Sequence, residues 1–454
     1  MGFSSYKVLE MPQKTNFLLV FFAIRVYYTG MYLTRSSEIR RVGFVSTRFQ
    51  GTDGVSLETD KWRQVLEKMG YDCFFFSGLS DWDPAKSMVV EEAFFGHPLI
   101  LDIQDRCFGV TVRNEGLSGE IQAVRFRIKR SIYEFTEKFG IDLLIVENAL
   151  TIPMNVPLGL AITEFIAETG IPAIAHHHDF AWERQRFSVN CIADYLSVAF
   201  PPRLHSINHV VINSEARQQL SYRCGLSSTI IPNVFDFDTA PPLLDNYGQS
   251  MRNDLGIGDD LLLLQPTRMV ARKGIEHAIE LASRLKSKKA HLLVSHQERD
   301  EGSEYYQRTM DYADLLGVNL VVRPDIIGTE RGMTADGQKK YSLWDCYLNA
   351  DFVTYPSTYE GFGNAFLEAV WFRKPILVNR YSIFQQDIEP LDFDVVVMDT
   401  YITPETVDTI SAILENPDSV DVMTARNFEL GKRFFSFSLL EQRLRQVLMN
   451  FGQL

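Results

Sequence analysis

The chain has 454 residues, enough for two domains with full hydrophobic cores, and its 46% apolar and 23% charged residues are ordinary for a globular enzyme. Its net charge of −13 argues against nucleic acid as a partner and against broad attraction to anionic lipid. The five cysteines are scattered with no C-x-x-C pair, which suits a reducing compartment and predicts no cysteine metal site.

Residues 1–40 form an N-terminal extension whose role the sequence leaves open. Phe17 to Leu33 is mostly apolar, but Arg25 interrupts it, and the unbroken run Phe17 to Ile24 is too short to span a bilayer. The stretch fits a weak signal or anchor, a packed helix, or an extension upstream of a natural start at Met31. Because no spanning stretch is evident, we expect a cytoplasmic protein.

The first folded domain is predicted to begin at a strand from Arg41 to Ser46, followed by the glycine loop Gly51 to Val55 and a helix from Ser56 to Met69. Strand, glycine loop and helix in this order are the opening of a doubly wound α/β domain. Ser214 is expected to cap the helix after the last strand. Further elements of this half are strands at Tyr71 to Ser77, Ile141 to Glu147, Ile171 to Ala175 and His209 to Asn213, and a helix from Leu158 to Thr169.

Two polar stretches stand out in this half. Arg125 to Arg130 places four cations ahead of an amphipathic helix that runs through Lys138, and we interpret them as a solvated helix face.

His176 to His178 follow a predicted strand, at the sheet edge where ligands gather in such folds. Neighbouring side chains in an extended chain point to opposite faces, so the three histidines cannot all bind one ion. Ordinary hydrogen-bonded histidines remain the alternative.

The second domain opens with Leu261 to Leu264, a short apolar run typical of a parallel strand, and a helix from Ile275 to Leu285. Arg272 and Lys273 lie at the N-terminus of that helix, the end where its dipole disfavours cations. An anion between the two cations would resolve this conflict, and Lys273 itself is expected to contribute little to stability. Later elements are strands at His291 to Ser295 and Lys374 to Val378, and a final amphipathic helix from Phe437 to Phe451.

The most informative stretch runs from Tyr355 to Trp371 and reads YPSTYEGFGNAFLEAVW. A predicted strand ends at Tyr355 and a predicted helix begins at Ala365, so Glu360 lies in a glycine turn and Glu368 on the helix. Exposed N–H groups of the turn and the helix dipole favour a phosphate. Carboxylates beside a phosphate indicate that sugar hydroxyls are bound as well. A strand-to-helix turn with two solvated acids is the alternative.

Glu360-Gly-Phe-Gly with Glu368 eight residues later resembles the E-x7-E signature of retaining GT-B glycosyltransferases of family four, the group 1 glycosyltransferases. The resemblance covers roughly residues 41–450. It implies an α/β fold of the GT-B type, in which two Rossmann-like doubly wound domains face each other across a cleft. We place the acceptor domain at 41–235, the nucleotide-sugar domain at 236–434, and a C-terminal helix at 435–454 that packs back toward the first domain.

The resemblance also assigns roles to residues. Glu360 would approach the donor sugar, Glu368 would bind the ribose, and Arg268 and Lys273 match the Arg and Lys that neutralise the donor diphosphate. His178 matches the His of a His-Asp-Phe strand end, and with Arg268, Lys273 and Glu360 it completes the expected catalytic set. The other expected donor-binding residues are Gly54, Ile327, Gly361, Phe362, Gly363 and Asn364, and the expected acceptor-binding residues are Asp179, Trp182 and Arg184.

The sequence therefore predicts a retaining glycosyltransferase that moves a hexose from a UDP- or GDP-sugar to a hydroxyl of a small, soluble acceptor. No cofactor is expected. No metal is expected either, because the D-x-D sequences that begin at Asp81, Asp236 and Asp392 fit turns as readily as a nucleotide site. Transfer to a lipid-linked glycan, or epimerase or hydrolase chemistry on the same fold, remain alternatives. A phosphorylase would need a pyridoxal lysine, for which no site is evident, and a non-catalytic binding module would not need the intact charged set. Membrane contact is not expected, and the oligomeric state stays open.

Overall fold

The computed structural model describes residues 39–51, 54–285, 289–296 and 303–453. The apolar stretch Phe17 to Leu33 and the alternative start at Met31 lie outside the described residues, as do Thr52 and Asp53 of the predicted glycine loop. Among the helices in these ranges, none combines the length and the apolar character that a membrane span requires. The described chain folds around two separate parallel sheets and one small mixed sheet.

Seven strands form the first sheet: β1 Arg41–Val45, β2 Asp72–Ser77, β3 Ser87–Val89, β4 Leu143–Glu147, β5 Ala173–His177, β6 Ile207–Val211 and β7 Thr229–Ile230. They are all parallel, in the order β3-β2-β1-β4-β5-β6-β7. Strands β4 and β5 are buried from end to end, as expected for a parallel sheet covered by helices on both faces. The strand order reverses between β1 and β4, so the ligand crevice of this half opens at their carboxyl ends.

Three helices of the first half begin at an asparagine cap that the sequence supplies. Asn114, Asn155 and Asn213 each accept a hydrogen bond from a backbone N–H of the first helical turn. Asn213 is therefore the cap of the helix after β6, and the prediction of Ser214 in that role is wrong. The helices are Gly54–Lys68, Pro98–Cys107, Glu115–Phe139, Val156–Thr169, Ala193–Ala199 and Ser214–Cys224, with short 3-10 turns at Glu91–Ala93, Ala181–Glu183 and Gln185–Phe187.

The four cations between Arg125 and Arg130 lie inside the helix Glu115–Phe139 and not ahead of it as predicted. The reason is that the buried apolar period of this helix already starts at Leu117. Three of the cations pair with acids of neighbouring elements: Arg125 with Glu164, Arg127 with Glu92 and Lys129 with Glu168. These ion pairs neutralise most of the patch within the fold.

The second half contains β8 Leu261–Arg268, β9 Ala290–His296, β10 Asn319–Val321, β11 Ile327–Gly328, β12 Gly332–Met333, β13 Lys339–Ser342, β14 Phe352–Tyr355, β15 Ile376–Asn379 and β16 Val396–Met398. Six of these strands form a parallel sheet in the order β10-β9-β8-β14-β15-β16, and β11, β13 and β12 form the small sheet. The strand order reverses between β8 and β14, which places a second ligand crevice at their carboxyl ends. Strand β8 extends beyond the predicted Leu264 and ends at Arg268.

The helices of the second half are Asn246–Gln249, Met251–Asp254, Ile275–Arg284, Ser303–Leu316, Leu343–Asn349, Asn364–Trp371, Pro404–Leu414, Pro417–Phe435 and Phe437–Met449. Short turns lie at Ala271–Lys273, Phe384–Ile388, Glu389–Leu391 and Asn450–Gln453. The chain crosses between the halves after β7 and returns after the helix Pro417–Phe435. The two crossings touch, because the backbone N–H of Phe235 donates to the carbonyl of Phe435 at 2.8 Å.

The last helix, Phe437–Met449, packs its apolar face on the first half of the molecule. Leu440, Leu444, Val447 and Leu448 belong to the same buried cluster as Trp62, Val65 and Leu66 of the helix Gly54–Lys68. Lys61 of that same helix donates to the carbonyl of Val234 at 2.6 Å. Both ends of the second half are thus attached to one helix of the first.

Replacement of Leu444 by alanine tests this attachment. Leu444 is fully buried, so Leu444→Ala should lower the free energy of unfolding by about 2–5 kcal/mol through lost burial and a residual cavity. Urea unfolding followed by tryptophan fluorescence measures the change. Gln442→Ala, an exposed change on the same helix, is the matched control and should stay within about 0.5 kcal/mol of the parent. Equal effects of the two changes would contradict the packing.

Candidate active site

The second crevice collects the charged residues that the sequence singles out. Arg268 is the last residue of β8 and is exposed, and Lys273 ends the short turn before the helix Ile275–Arg284. The loop after β14 carries Glu360 and leads into the helix Asn364–Trp371. Because β8 and β14 are neighbours in the sheet, this loop and the Lys273 turn lie against each other.

Glu360 receives two cations. Lys273 Nζ contacts Glu360 Oε1, and Arg272 donates to Glu360 Oε2 at 3.2 Å. Glu360 and Lys273 are each only 8% exposed. Burial opposes ionisation of Glu360, but the charges of Lys273 and Arg272 outweigh it and lower the pKa of this carboxyl. In the ligand-free protein the Glu360 carboxylate therefore lies between the two cations. Because Lys273 is buried in this ion pair, its position at a helix start no longer supports the expectation that it contributes little to stability.

Two glycines allow the loop to approach so closely. Gly274 has φ of +62°, and a Cβ there would lie 2.6 Å from the carbonyl oxygen of Pro356. Gly363 has φ of +118°, and a Cβ there would lie 2.4 Å from the hydroxyl of Tyr381. A side chain at position 274 would push the loop that carries Glu360 away from the Lys273 turn, and one at position 363 would push this loop away from Tyr381.

Glu368 lies on the helix Asn364–Trp371, which follows the Glu360 loop. It accepts a hydrogen bond from the hydroxyl of Tyr347 at 2.8 Å, and burial raises its pKa. Sequence reasoning missed Tyr347 because it belongs to the helix Leu343–Asn349, which no motif marks. The helical period of the LWDCYLN segment could have placed it on a buried face.

The structure places the remaining donor-side candidates as follows. Gly361, Phe362 and Asn364 are part of the Glu360 loop and the start of its helix, and Asn364 accepts a hydrogen bond from Asn233 of the first crossing at 2.8 Å. Ile327 is buried on β11, and none of the contacts among the described residues joins it to Glu360 or Glu368. Gly54 is the exposed first residue of its helix.

The Glu360 loop also touches the first half. Asn213, which caps the helix after β6, donates to the carbonyl of Gly361 at 2.7 Å. A Cβ at Gly361 would lie 3.6 Å from the carbonyl oxygen of His178. The two crevices therefore face each other, with His178 on one side and Glu360 on the other.

The three histidines alternate between two faces, as their extended backbone requires. His176 Nδ1 and His178 Nε2 lie 2.9 Å and 3.0 Å from the same oxygen of Glu147, the last residue of β4. His177 points the other way and pairs its Nε2 with His209 Nδ1 at 2.9 Å. The sequence places these histidines correctly at a strand end, but it does not reveal Glu147 as their partner, because only the pairing of β4 with β5 brings it there.

The acceptor-side candidates fall into two groups. Asp179 accepts from Asn148 at 2.8 Å and pairs with Arg184, so these two predicted residues bind each other. Trp182 stacks on Phe180 with ring centroids 4.4 Å apart. Of these candidates, only Trp182 lines a cavity of about 260 Å³ between the halves, together with Glu183, Asn213, Glu215, Gln219, Arg223, Tyr359, Glu360 and Gly361.

Glu183 and Tyr359 join the two walls of this cavity. The Tyr359 hydroxyl donates to Glu183 Oε2 at 3.1 Å, across 176 residues of sequence. Burial and the neighbouring Asp179 carboxylate raise the pKa of Glu183 to about 7. The arrangement combines hydrogen-bonding carboxylates and an indole ring beside Glu360, which is suited to a polyhydroxylated ligand.

Comparison with known proteins gives consistent matches. A family model described as group 1 glycosyl transferases matches residues 333–429, which include the Glu360 loop. The mannosylglucosylglycerate synthase of Petrotoga mobilis is 32% identical, covering 88% of this chain and 99% of the relative. The enzyme of the same name from Thermotoga maritima is 31% identical, covering 87% and 97%.

Solved structures match the fold. A glycosyltransferase from Rickettsia africae superposes with a TM-score of 0.66 at 12% identity, covering 91% of this chain and 99% of that one. Anabaena HepE, solved with UDP and glucose, superposes with a TM-score of 0.61 at 13% identity, covering 90% and 100%. These neighbours are GT-B glycosyltransferases, so the predicted GT-B fold is confirmed.

Removal of the Lys273 charge tests the buried pair. Lys273→Met leaves the Glu360 carboxylate buried with one partner fewer, and the free energy of unfolding of the ligand-free protein should fall by about 3–5 kcal/mol. Urea unfolding is the measurement. Arg272→Met is the control: its side chain is 41% exposed, and its loss should cost at most about 1 kcal/mol. The pair plays no part in stability if Lys273→Met unfolds at the parent's urea concentration.

Proposed function

The chain belongs to the group 1 glycosyltransferases, and from that premise we propose that it transfers a hexose from a nucleotide-diphosphate sugar to a hydroxyl of a small acceptor, with retention of anomeric configuration. The names of the two relatives suggest the identities: mannose as the transferred sugar and a glucosylglycerate as the acceptor. We expect the base of the donor nucleotide to be guanine or uracil.

The observation that carries the proposal is the position of Glu360. Its carboxylate is bound by Lys273 and Arg272 on the donor side, and it also lines the cavity that holds Trp182 and Glu183 on the acceptor side. A sugar between the two crevices would meet Glu360 from one side and the acceptor from the other. A solvated turn with two free acids does not account for this burial.

On this proposal the cations act when the donor is bound. Its diphosphate would share the positive charge of Lys273, Arg272 and Arg268, and the exposed N–H groups at the start of the helix Asn364–Trp371 would add to it. The bond between the sugar and the diphosphate breaks, the acceptor oxygen bonds to the same face of the sugar, and the acceptor proton passes to the leaving phosphate oxygen. These groups supply the charge that a metal ion supplies elsewhere, so we propose that transfer is metal-independent.

The volume of the cavity and the ion pairs of the helix Glu115–Phe139 both favour a small acceptor. A cavity of about 260 Å³ suits one sugar with a short substituent better than a long glycan. The cationic helix that could reach a lipid-linked acceptor has most of its charges paired with acids of the same half. Transfer to a lipid-linked glycan is therefore the less favoured candidate.

A direct assay tests the proposed function. Purified protein is incubated with UDP-, GDP- or ADP-linked sugars, GDP-mannose among them, and with glucosylglycerate, glycerate or no acceptor. We expect release of the nucleoside diphosphate only with glucosylglycerate, an α-linked product from an α-linked donor by NMR, and unchanged turnover in excess EDTA. Release of the nucleotide without acceptor would point to epimerase or hydrolase chemistry, and loss in EDTA that is restored by a divalent ion would refute metal independence.

The two glutamates should have separable effects. Glu368→Gln should raise the donor KM by the equivalent of about 1.5–3 kcal/mol, because a contact to the ribose is the same in the ground and transition states. Glu360→Gln should lower kcat by roughly two orders of magnitude, because its contacts to the sugar tighten as positive charge develops.

Steady-state kinetics with varied donor measures both constants. Tyr347→Phe is the matched control for Glu368, since it removes only the hydroxyl that donates to this carboxylate, and it should change KM less than Glu368→Gln. All variants must melt near the parent temperature. A Glu368→Gln protein that binds donor normally but has lost kcat would reverse the assignment.

A further inference from the structure

Glu147 is a buried carboxylate that none of the assignments above uses. It is the last residue of β4, at the strand-order reversal of the first sheet, and it is fully buried together with His176. Its Oε2 oxygen accepts hydrogen bonds from His176 Nδ1 at 2.9 Å and His178 Nε2 at 3.0 Å. Its Oε1 oxygen has no hydrogen-bond partner among the described residues.

The geometry fixes which nitrogen of each ring carries a proton. A carboxylate oxygen only accepts, so His176 must donate from Nδ1 and His178 from Nε2. The remaining nitrogen of His176 is enclosed without a partner in the described part of the chain, in a ring stacked on Trp62 with centroids 4.2 Å apart. The remaining nitrogen of His178, Nδ1, hydrogen-bonds none of the described residues. This side chain is 10% exposed, and its backbone carbonyl lies beside Gly361 of the Glu360 loop.

The charges follow from the same contacts. Burial opposes ionisation of Glu147, but the two rings outweigh it and lower the pKa of the carboxyl to about 2, so it is ionised. Burial lowers the pKa of His176, which leaves that ring neutral. Burial acts on His178 in the same direction, but the hydrogen bond and charge of Glu147 outweigh it and raise its pKa. A buried carboxylate is stabilised by a counter-charge, and of the two rings only that of His178 has a raised pKa.

We propose that Glu147 is a positioning residue of the glycosyl-transfer site: it holds His178 protonated, with Nε2–H toward Glu147 and Nδ1–H toward the cleft, where Nδ1–H donates a hydrogen bond to a hydroxyl of the transferred sugar. This inference rests on the proposed function. Loss of the proton turns Nδ1 from a donor into an acceptor, so Glu147 acts through His178 and not on the sugar itself.

Protons account for the geometry better than a metal ion does. The ligand atoms of Glu147, His176 and His178 lie within 4.8 Å of one another, close enough to suggest an ion. However, ligands about 2.0–2.1 Å from a tetrahedral zinc are about 3.3 Å apart. The carboxylate-to-ring distances of 2.9 Å and 3.0 Å are shorter than that and match hydrogen bonds.

The pH dependence tests the charge of His178. The other charged or titratable groups that act on this ring are Glu58 from the helix Gly54–Lys68, the adjacent Asp179, and His176. In the parent protein kcat should fall as pH rises through the raised pKa of His178. In Glu147→Gln the same fall should occur at lower pH, and NMR titration of the His178 ring should show the same downward shift without any need for turnover.

A double-mutant comparison separates positioning from a structural role. Glu147→Gln alone should lower kcat about tenfold or more, the scale seen when a partner that orients a functional histidine is lost. When Glu147→Gln is combined with His178→Asn, kcat should be no lower than in His178→Asn alone, because Glu147 acts through the His178 side chain. Glu147→Asp, which keeps the charge on a shorter stem, should recover part of kcat and of the pH profile.

His209→Asn is the matched control. It disrupts the buried histidine pair on the opposite face of β5, 2.9 Å from His177, and it should leave the pH profile unchanged. Additive losses in the double variant, an unshifted His178 titration in Glu147→Gln, or stoichiometric zinc binding that Glu147→Gln removes would each overturn the proposal. If the parent transfers no sugar at all, the proposed function fails, whereas the NMR titration still decides the role of Glu147.

Discussion

The buried ion pair between Lys273 and Glu360 is the contact on which the candidate site depends. It joins a turn after β8 to a loop after β14, the two neighbouring strands at which the order of the second sheet reverses. Burial of either charge without the other would be strongly destabilising. The pair therefore holds the Glu360 loop against the Lys273 turn. The loop in turn contacts Asn213 and His178 of the first half.

The first half also places a buried carboxylate at the point where its own strand order reverses. Glu147 ends β4 as a buried carboxylate that accepts hydrogen bonds from His176, on β5, and from His178, directly after β5. Each half thus presents a buried acid that basic side chains already contact before any substrate binds. A preorganised site of this kind does not have to reorient charges during the reaction, which is the main source of electrostatic catalysis.

The two halves contribute different side chains to the cleft. Lys273 and Arg272 of the second half bind Glu360. The first half contributes Trp182, Glu183, Glu215 and Arg223 to the opposite wall of the cavity. The contact between Tyr359 and Glu183 brings the two walls within hydrogen-bonding distance. The shared attachment of both chain crossings to the helix Gly54–Lys68 keeps the walls opposed.

The sequence by itself determined the α/β class, many of the alternating strands and helices, and the Glu360–Glu368 unit, because short apolar runs, the helical period and glycine turns are local properties. It also placed His178 at a strand end, whereas Arg268 lay beyond the predicted strand and ends β8 only in the structure. Only the tertiary structure decided which of these residues contact each other: Lys273 with Glu360, His178 with Glu147, Glu368 with Tyr347, and Asp179 with Arg184. Apart from the last, these contacts join residues 21 to 87 positions apart. The contacts of Lys273 and His178 arise from which strands lie side by side, and that of Glu368 from the packing of two helices. No local pattern encodes either, and for this reason the sequence did not predict the burial of Lys273.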